Sequence, residues 1–518
     1  LRFALSTDGL NFTALNNDQP VIESSRISTT GGIRDPYVMR GPDGKFYMAL
    51  TDMTSSAGWD SNRGLVLLKS EDLVSWQHST VNVSTKYPNF SDITHAWAPE
   101  IIYDRGQDKL MIYFSSNPGG IPNKIYYTYA NGDFSDLANE PQILFPDYST
   151  DIIDGSIAHV KGKYHMFYKL NNQIAKAEAP ALTGPYIQTA AQVDAGGTQA
   201  EGCETYRLIG ADTYVLIYDR YQLSPAQFGF RTSVDLVDFT TVTGSTTKAD
   251  GSTFVPRHGS VIPLTKTEYD RLYGTDWFAA AIPPVSDAAT LKLHYQFNEA
   301  SGTSIANSAA GYTDRHTGDL EGSASLDATG GIGWFGTGSS SGYLDMGADA
   351  DEIITGQPGF TIASYVYIEN AASLSGNGWF LWCMADTESA SETSGTYLFF
   401  RAIAMRQCFS LSGWGNESNV SLGGNLPKRS WQHVMYRQIG DLGVIYINGQ
   451  AAALATMPIG TAELGDLSYN WIGRPCFSGD SYMRYTRYAD FRIYSGAISD
   501  SQLAGLNIAA TLEVLNAP

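Results

Sequence analysis

Arg34-Asp35-Pro36-Tyr37-Val38, a turn at Asp43-Gly44-Lys45, Phe46 to Leu50, Leu65 to Lys69, Ser70-Glu71-Asp72-Leu73 and Trp76 set out a unit that the chain repeats. An innermost strand carrying a polar residue turns on Gly and Asp into an aromatic strand. A third strand follows, and an Asp-containing turn leads to an edge strand. A second copy starts at Trp97-Ala98-Pro99-Glu100-Ile101 and runs through Leu110 to Phe114 and Ile125 to Tyr129. The third starts at Asp154-Gly155-Ser156-Ile157 and continues with Tyr164 to Tyr168. The fourth has Glu201-Gly202-Cys203-Glu204, Tyr214 to Tyr218, and Ser233-Val234-Asp235-Leu236 before Phe239.

Copies spaced by roughly 50 to 60 residues fall on the scale of propeller blades. A fifth innermost strand, His258-Gly259-Ser260-Val261-Ile262, has no outer strands downstream, but Phe3 to Leu10 with Phe12 matches the outer end of the repeat. The N-terminal strand is therefore expected to complete the last blade and close the ring, which leaves few free sheet edges.

Bulk properties agree with an all-β chain. Aromatic residues make up 12% and charged residues 17% of 518, with 52 glycines, as suits short strands and tight turns. The net charge of -20 disfavours a polyphosphate partner, and no basic run is interleaved with aromatics, so no nucleic acid is expected. Cys203, Cys383, Cys408 and Cys476 are too few for a disulfide framework and form no C-x-x-C pair. No apolar run approaches the roughly 20 residues that span a bilayer, so no membrane partner is expected. Leu1 falls inside an expected strand, and a secreted or periplasmic location with a removed signal peptide is the expectation.

The repeat stops near Phe278, and Ala279 to Ser286 has linker composition. The expected domains are a five-bladed β-propeller over 1–280, a linker over 281–290 and a β-sandwich (jelly roll) over 291–518. The last rests on alternating strands at Leu293 to Phe297, Phe360 to Val366 and Val444 to Ile447.

Innermost strands line a propeller's channel, so Asp35, Asp154, Glu201 and His258 should converge although they lie far apart in sequence. Glycoside hydrolysis needs one carboxyl to protonate the leaving oxygen and another to activate water or attack the sugar. Three carboxyls on three blades can supply both. Asp8, Asp72 and Asp235 recur at the outer turn instead, where Asp caps backbone N–H groups.

These motifs, Arg34 to Val38, Trp97-Ala98-Pro99-Glu100, Ile153 to Ile157, Glu201-Gly202 and Arg257-His258-Gly259-Ser260, resemble glycoside hydrolase family 43 over about the first 280 residues. The resemblance implies an inverting enzyme with Asp35 as general base, Asp154 as pKa modulator and orienter of the acid, and Glu201 as general acid. Base and acid are then about 6.5–9.5 Å apart, with water between them. The family usually follows Glu-Gly with Pro, whereas Cys203-Glu204 stands here. Glu204 is thus a rival acid, although strand alternation points it away from the face of Glu201. His258 is either a channel-bottom residue holding calcium or a satisfied core histidine. No cofactor is expected for the chemistry itself. Trp97 and Trp59 are candidates for stacking on a sugar, and Arg231 for contacting substrate or a carboxylate.

Tyr343 to Gly347, Trp431 to Val434, Tyr446 to Gln450, Trp471 to Arg474 and Asp490 to Gly496 resemble the laminin-G/concanavalin-like domain. Such domains bind carbohydrate or serve as rigid packing partners. The resulting expectation is an exo-acting glycosidase on plant-type polysaccharide side chains, foremost an α-L-arabinofuranosidase. A β-xylosidase and an endo-acting xylanase or arabinanase are the near alternatives. A retaining invertase/fructanase would need an Asn-Asp-Pro-Asn-Gly motif that the first blade lacks. A non-catalytic carbohydrate-binding protein is the rival from another class. The expected partner is an oligo- or polysaccharide; oligomeric state is not written in the sequence.

Overall fold

The computed structural model describes residues 1–145, 150–327, 333–336 and 342–516. They fall into two compact units, Leu1–Ala281 and Ile282–Pro518.

The first unit is the five-bladed propeller. It begins with β1 (Ala4–Leu5) and β2 (Asn11–Ala14), followed by a blade of β3 (Ile33–Arg40), β4 (Phe46–Asp52), β5 (Gly64–Ser70) and β6 (Gln77–Asn82). The second blade is β7 (Ala96–Asp104), β8 (Lys109–Ser116), β9 (Lys124–Tyr129) and β10 (Gln142–Phe145). The third is β11 (Ile153–Val160), β12 (Lys163–Leu170), β13 (Gln173–Ala179) and β14 (Ile187–Ala190). The fourth is β15 (Glu201–Arg207), β16 (Tyr214–Arg220), β17 (Gln227–Ser233) and β18 (Thr240–Val242). All pairings inside these four blades are antiparallel between neighbours in sequence.

Burial explains why the second strand of each blade reads as a continuous apolar run rather than an alternation. Every residue of β4 is buried, because both faces of a central strand meet neighbouring blades. Leu65, Leu67, Ile101, Ile112 and Tyr126 share one such core between the first two blades, and Tyr113, Ile125, Ile157, Met166 and Tyr168 share the next. At the outer turns, Asp72 Oδ1 accepts from the Val74 and Ser75 amides, and Asp235 Oδ1 accepts from those of Val237 and Asp238. Asp8 does the same with Leu10 and Asn11.

The fifth blade differs from the expectation. Its sheet contains β1, β2 and β19 (Ser245–Thr247), with β19 parallel to β2, so the N-terminal strands do join the last blade. Residues 258–262, expected as its innermost strand, form no strand, and neither do their neighbours within 256–264, because no neighbouring strand lies in hydrogen-bonding reach. Side chains hold them instead: the Val261 amide donates to Glu204 at 2.6 Å, and Ser260 Oγ accepts from the Val38 amide and donates to the Pro36 carbonyl.

The second unit is a sandwich of two eight-stranded sheets around a core that includes Phe360, Trp382, Tyr436, Tyr488 and Phe491. The segment expected as a linker packs onto this unit. Ile282 and Ala289 join the apolar cluster of Val444 and Tyr494, and Val285 exchanges hydrogen bonds with Asp500. All four cysteines are buried and free.

Candidate active site

Each complete blade loses its ladder register at the same place in its innermost strand. The breaks fall between Arg34 and Tyr37, Trp97 and Glu100, Ile153 and Ser156, and Glu201 and Glu204. Asp35, Ala98, Asp154 and Gly202 sit at the breaks with φ of 52°, 47°, 57° and 54°. These are β-bulges, which re-aim side chains and cluster beside active sites. A left-handed non-glycine residue costs about 1–3 kcal/mol, which surrounding structure must hold in place.

The bulges sort the channel residues into three tiers. Arg34, Trp97 and Glu201 precede the break, Asp35 and Asp154 occupy it, and Tyr37, Glu100, Ser156 and Glu204 follow it. His258 enters the middle tier from the fifth blade. Its Nδ1 donates to Asp35 Oδ1 at 2.8 Å, and Asp35 Oδ2 accepts from Thr51 at 2.8 Å. Its ring lies against Gly202, where a Cβ would come within 2.5 Å of Cδ2. Glycine is required there by the positive φ and by this close approach.

Burial works against ionisation of Asp35, but His258, Arg34 and the Thr51 bond overcome it and hold the carboxyl down at about 2. The same pairing acts on His258: burial disfavours its charge, while Asp35, Asp154 and Glu201 lift it to about 10. Asp154 is pushed up, first by burial and then by Glu201 and Asp35, with His258 and Lys169 opposing. Its Oδ2 accepts from the Gly202 amide at 3.0 Å, and so fixes the backbone next to Glu201.

Glu201 is gripped on both oxygens, by Lys169 at 2.7 Å and Arg257 at 3.2 Å. Arg257 also binds Asp219 at 2.7 Å. Glu204 lies in the deepest tier, buried beside Glu100. Burial and Glu100 push its carboxyl well up, and burial raises Glu100 to about 8. Alternation had placed Glu204 on the opposite face from Glu201; the bulge inserts one residue between them and turns both toward His258.

Trp97 stacks on His95 with ring centroids 3.7 Å apart and meets Trp59 edge-on. Trp59 is 55% exposed with Arg34 over its ring, so a half-exposed aromatic pair adjoins the upper tier. Arg231 is not brought to this group. It sits on β17, the third strand of its blade, where its guanidinium donates to the carbonyls of Val193, Asp194 and Phe239.

Sequence reasoning missed Lys169, Arg257, Thr51 and Asp219. The signal was positional: Thr51, Ser115, Lys169 and Asp219 pair directly with Arg34, Trp97, Ile153 and Glu201. Each of these polar residues near the end of a second strand bonds the innermost segment of the next blade, at the Ala98 amide, the Asp154 amide, Glu201 and Arg257.

A family model described as a probable glycosyl hydrolase domain matches residues 1–270. A model of the concanavalin A-like lectin/glucanases superfamily matches residues 338–504. An α-L-arabinofuranosidase of Bifidobacterium longum subsp. longum is 27% identical over 208 residues, covering 35% of this chain and 18% of that protein. The chain therefore matches less than a fifth of that relative's length. Among solved structures, a thermostable family-43 glycoside hydrolase is 21% identical, with 41% of this chain and 73% of the other covered, at a TM-score of 0.31. A xylan beta-1,4-xylosidase from Bacillus halodurans C-125 is 11% identical over 95% of this chain and 93% of the other, at 0.36.

Proposed function

Because the chain belongs to the GH43-related glycosyl hydrolases, we propose that its propeller hydrolyses α-L-arabinofuranosidic side chains of plant-type polysaccharides with inversion. The observation that carries this reading is the convergence of three blades at His258: its ring bonds Asp35 and lies against Gly202, whose amide donates to Asp154 next to Glu201. Asp35, ionised at neutral pH and anchored by His258 and Thr51, is the general base. Each carboxylate oxygen has a second lone pair with which to take a proton from water.

Glu201 is the general acid. Lys169 and Arg257 each occupy one lone pair on a different oxygen, which leaves a second lone pair on each for the proton delivered to the leaving oxygen. Asp154 orients it through the Gly202 amide. The mechanism needs no step through a metal. Among the described residues no group of three or more His, Cys, Asp or Glu side chains is arranged to hold one; a cation at His258 would have to bind the ring's Nε2, since Nδ1 donates to Asp35. The aromatic pair of Trp59 and Trp97 offers a face for a sugar ring. A polysaccharide substrate also favours a secreted or periplasmic location.

The arabinose preference draws on the name of the Bifidobacterium relative. Proton NMR of the anomer first released from an aryl α-L-arabinofuranoside tests the mechanism, since inversion and retention give opposite configurations. Retention removes Asp35 as general base. Cleavage of aryl β-xyloside, xylan or arabinan in preference to the furanoside changes the substrate, and no cleavage of any of them leaves a binding protein.

A further inference from the structure

Tyr221 stands on the Glu201 side of the funnel and takes no part in the proton transfers. It follows β16 directly and opens the 221–226 connection of the fourth blade. The residue is partly exposed, and its ring joins none of the apolar cores between blades. Polar contacts hold it instead. Its hydroxyl donates to Asn172 Oδ1 at 3.2 Å and to Gln199 Oε1. Asn172 lies in the turn between β12 and β13, and Gln199 lies just ahead of β15, so two blades fix one ring. Lys169 Nζ sits over the ring, 4.9 Å from its centroid, and bonds Glu201 at 2.7 Å.

Donors surround this aromatic. The tyrosine takes the amide oxygens of Asn172 and Gln199, and among the described residues neither amide nitrogen has a partner. Arg220, the preceding residue, donates from Nε to Thr198 Oγ1 at 3.2 Å, and among the described residues no carboxylate pairs with its guanidinium. An aromatic face bordered by free N–H groups matches a sugar ring, which offers C–H bonds to the one and hydroxyls to the other.

The reaction says which sugar lies there. In an inverting enzyme the acid stands on the side of the leaving group, and the base and its water stand on the opposite face of the sugar that is released. Asp35 belongs to the first blade, and Trp59 and Trp97 to the first and second; Glu201 and Tyr221 belong to the fourth. We propose that Tyr221 is the stacking platform for the leaving group, a backbone pyranose, with Asn172, Gln199 and Arg220 donating to its hydroxyls. This rests on the reading of Glu201 as general acid. A pyranose with equatorial hydroxyls presents a flat C–H face to the ring and directs its hydroxyls sideways to the donors.

The test compares wild type, Tyr221→Ala and Tyr221→Phe on methyl α-L-arabinofuranoside and on arabinofuranosyl-xylotriose, with binding of xylotriose alone measured by calorimetry. Both leaving groups need the acid, so an effect passed through Lys169 to Glu201 slows both substrates alike. Only the second carries a ring for Tyr221. Tyr221→Ala should lower kcat/KM on the xylotriose substrate by roughly tenfold more than on the methyl glycoside, chiefly through KM, and Tyr221→Phe should recover most of the loss. Equal losses on the two substrates overturn the proposal, as does a Phe variant no better than Ala. Cleavage of neither substrate by wild type sinks the arabinofuranosidase reading separately. Xylotriose binding then decides the subsite: affinity lost with Ala and regained with Phe supports it, and no binding, or equal binding by all three proteins, overturns it.

Discussion

Gly202→Ala is the substitution that most directly probes how the site is held together. The new Cβ would lie 2.5 Å from His258 Cδ2 and 2.7 Å from Cγ, well inside contact distance, on a residue with φ of 54°. The ring has little room to retreat, because its Nδ1 is bonded to Asp35 and its segment is tied to Glu204 through the Val261 amide. Left-handed alanine costs about 1–2 kcal/mol, and loss of a charge-assisted hydrogen bond adds about 1.5–3 kcal/mol. The propeller should therefore lose roughly 2.5–5 kcal/mol, the sum of those two effects. Urea unfolding followed by fluorescence measures this, with Gly259→Ala as control. The control's Cβ meets nothing closer than 3.6 Å, so its change should stay within about 0.5 kcal/mol. Displacement of His258 should also slow hydrolysis by about 10²-fold and let its imidazole titrate nearer its ordinary value. A variant as stable as the control, with His258 still titrating near 10, would refute the packing argument.

Glu201→Gln should lower kcat steeply on substrates with poor leaving groups and much less on aryl glycosides with good ones, as loss of a general acid requires. Glu204→Gln should leave that leaving-group dependence unchanged, since its carboxyl lies buried in the deepest tier; the two dependences compared side by side decide between the rival acids. The Asp35–His258 pair should stabilise the propeller within a defined pH window. Asp35, held at about 2 against about 3.9 unfolded, contributes above the unfolded value and loses its contribution as pH falls through about 2. His258, held at about 10 against about 6.5 unfolded, contributes fully below the unfolded value and loses its contribution as pH rises through about 10. The stability difference between wild type and Asp35→Asn should shrink at both ends; a difference independent of pH would dissolve the pair.

The blades were legible because each innermost strand opens with a polar residue before an apolar run, a contrast that survives without any neighbour to compare. The bulges were not, because a break in register leaves no mark in composition: Arg34-Asp35-Pro36-Tyr37 and Glu201-Gly202-Cys203-Glu204 share a backbone conformation and almost no chemistry. That is why strict alternation misplaced Glu204. Arg231 shows the opposite limit. An arginine beside Thr232-Ser233 reads as available, and only its three backbone carbonyl partners reveal that it ties outer parts of its blade together. The innermost strand of the fifth blade was correct as a position and wrong as a strand, since strand geometry needs a partner that those residues lack.

The three tiers also explain how so many carboxyls share one channel. If Asp35, Asp154, Glu201, Asp219, Glu100 and Glu204 were all ionised, the negative charge would outnumber His258, Lys169 and Arg257 two to one. The fold avoids this by depth. Glu201 and Asp219, nearest the mouth, meet Lys169 and Arg257, while Asp35 meets His258. Farther down, Glu100 accepts from Tyr113 at 2.6 Å, and burial raises it to about 8 and pushes Glu204 well up, with His258 opposing both. Between these levels Asp154 is pushed up by burial and then by Glu201 and Asp35, and its bond to the Gly202 amide holds it beside Glu201. The bulge supplies the geometry of that separation: by adding one residue to each innermost strand at the same rung, it brings residues on both sides of the break, such as Glu201 and Glu204, to a single face of the channel at different depths.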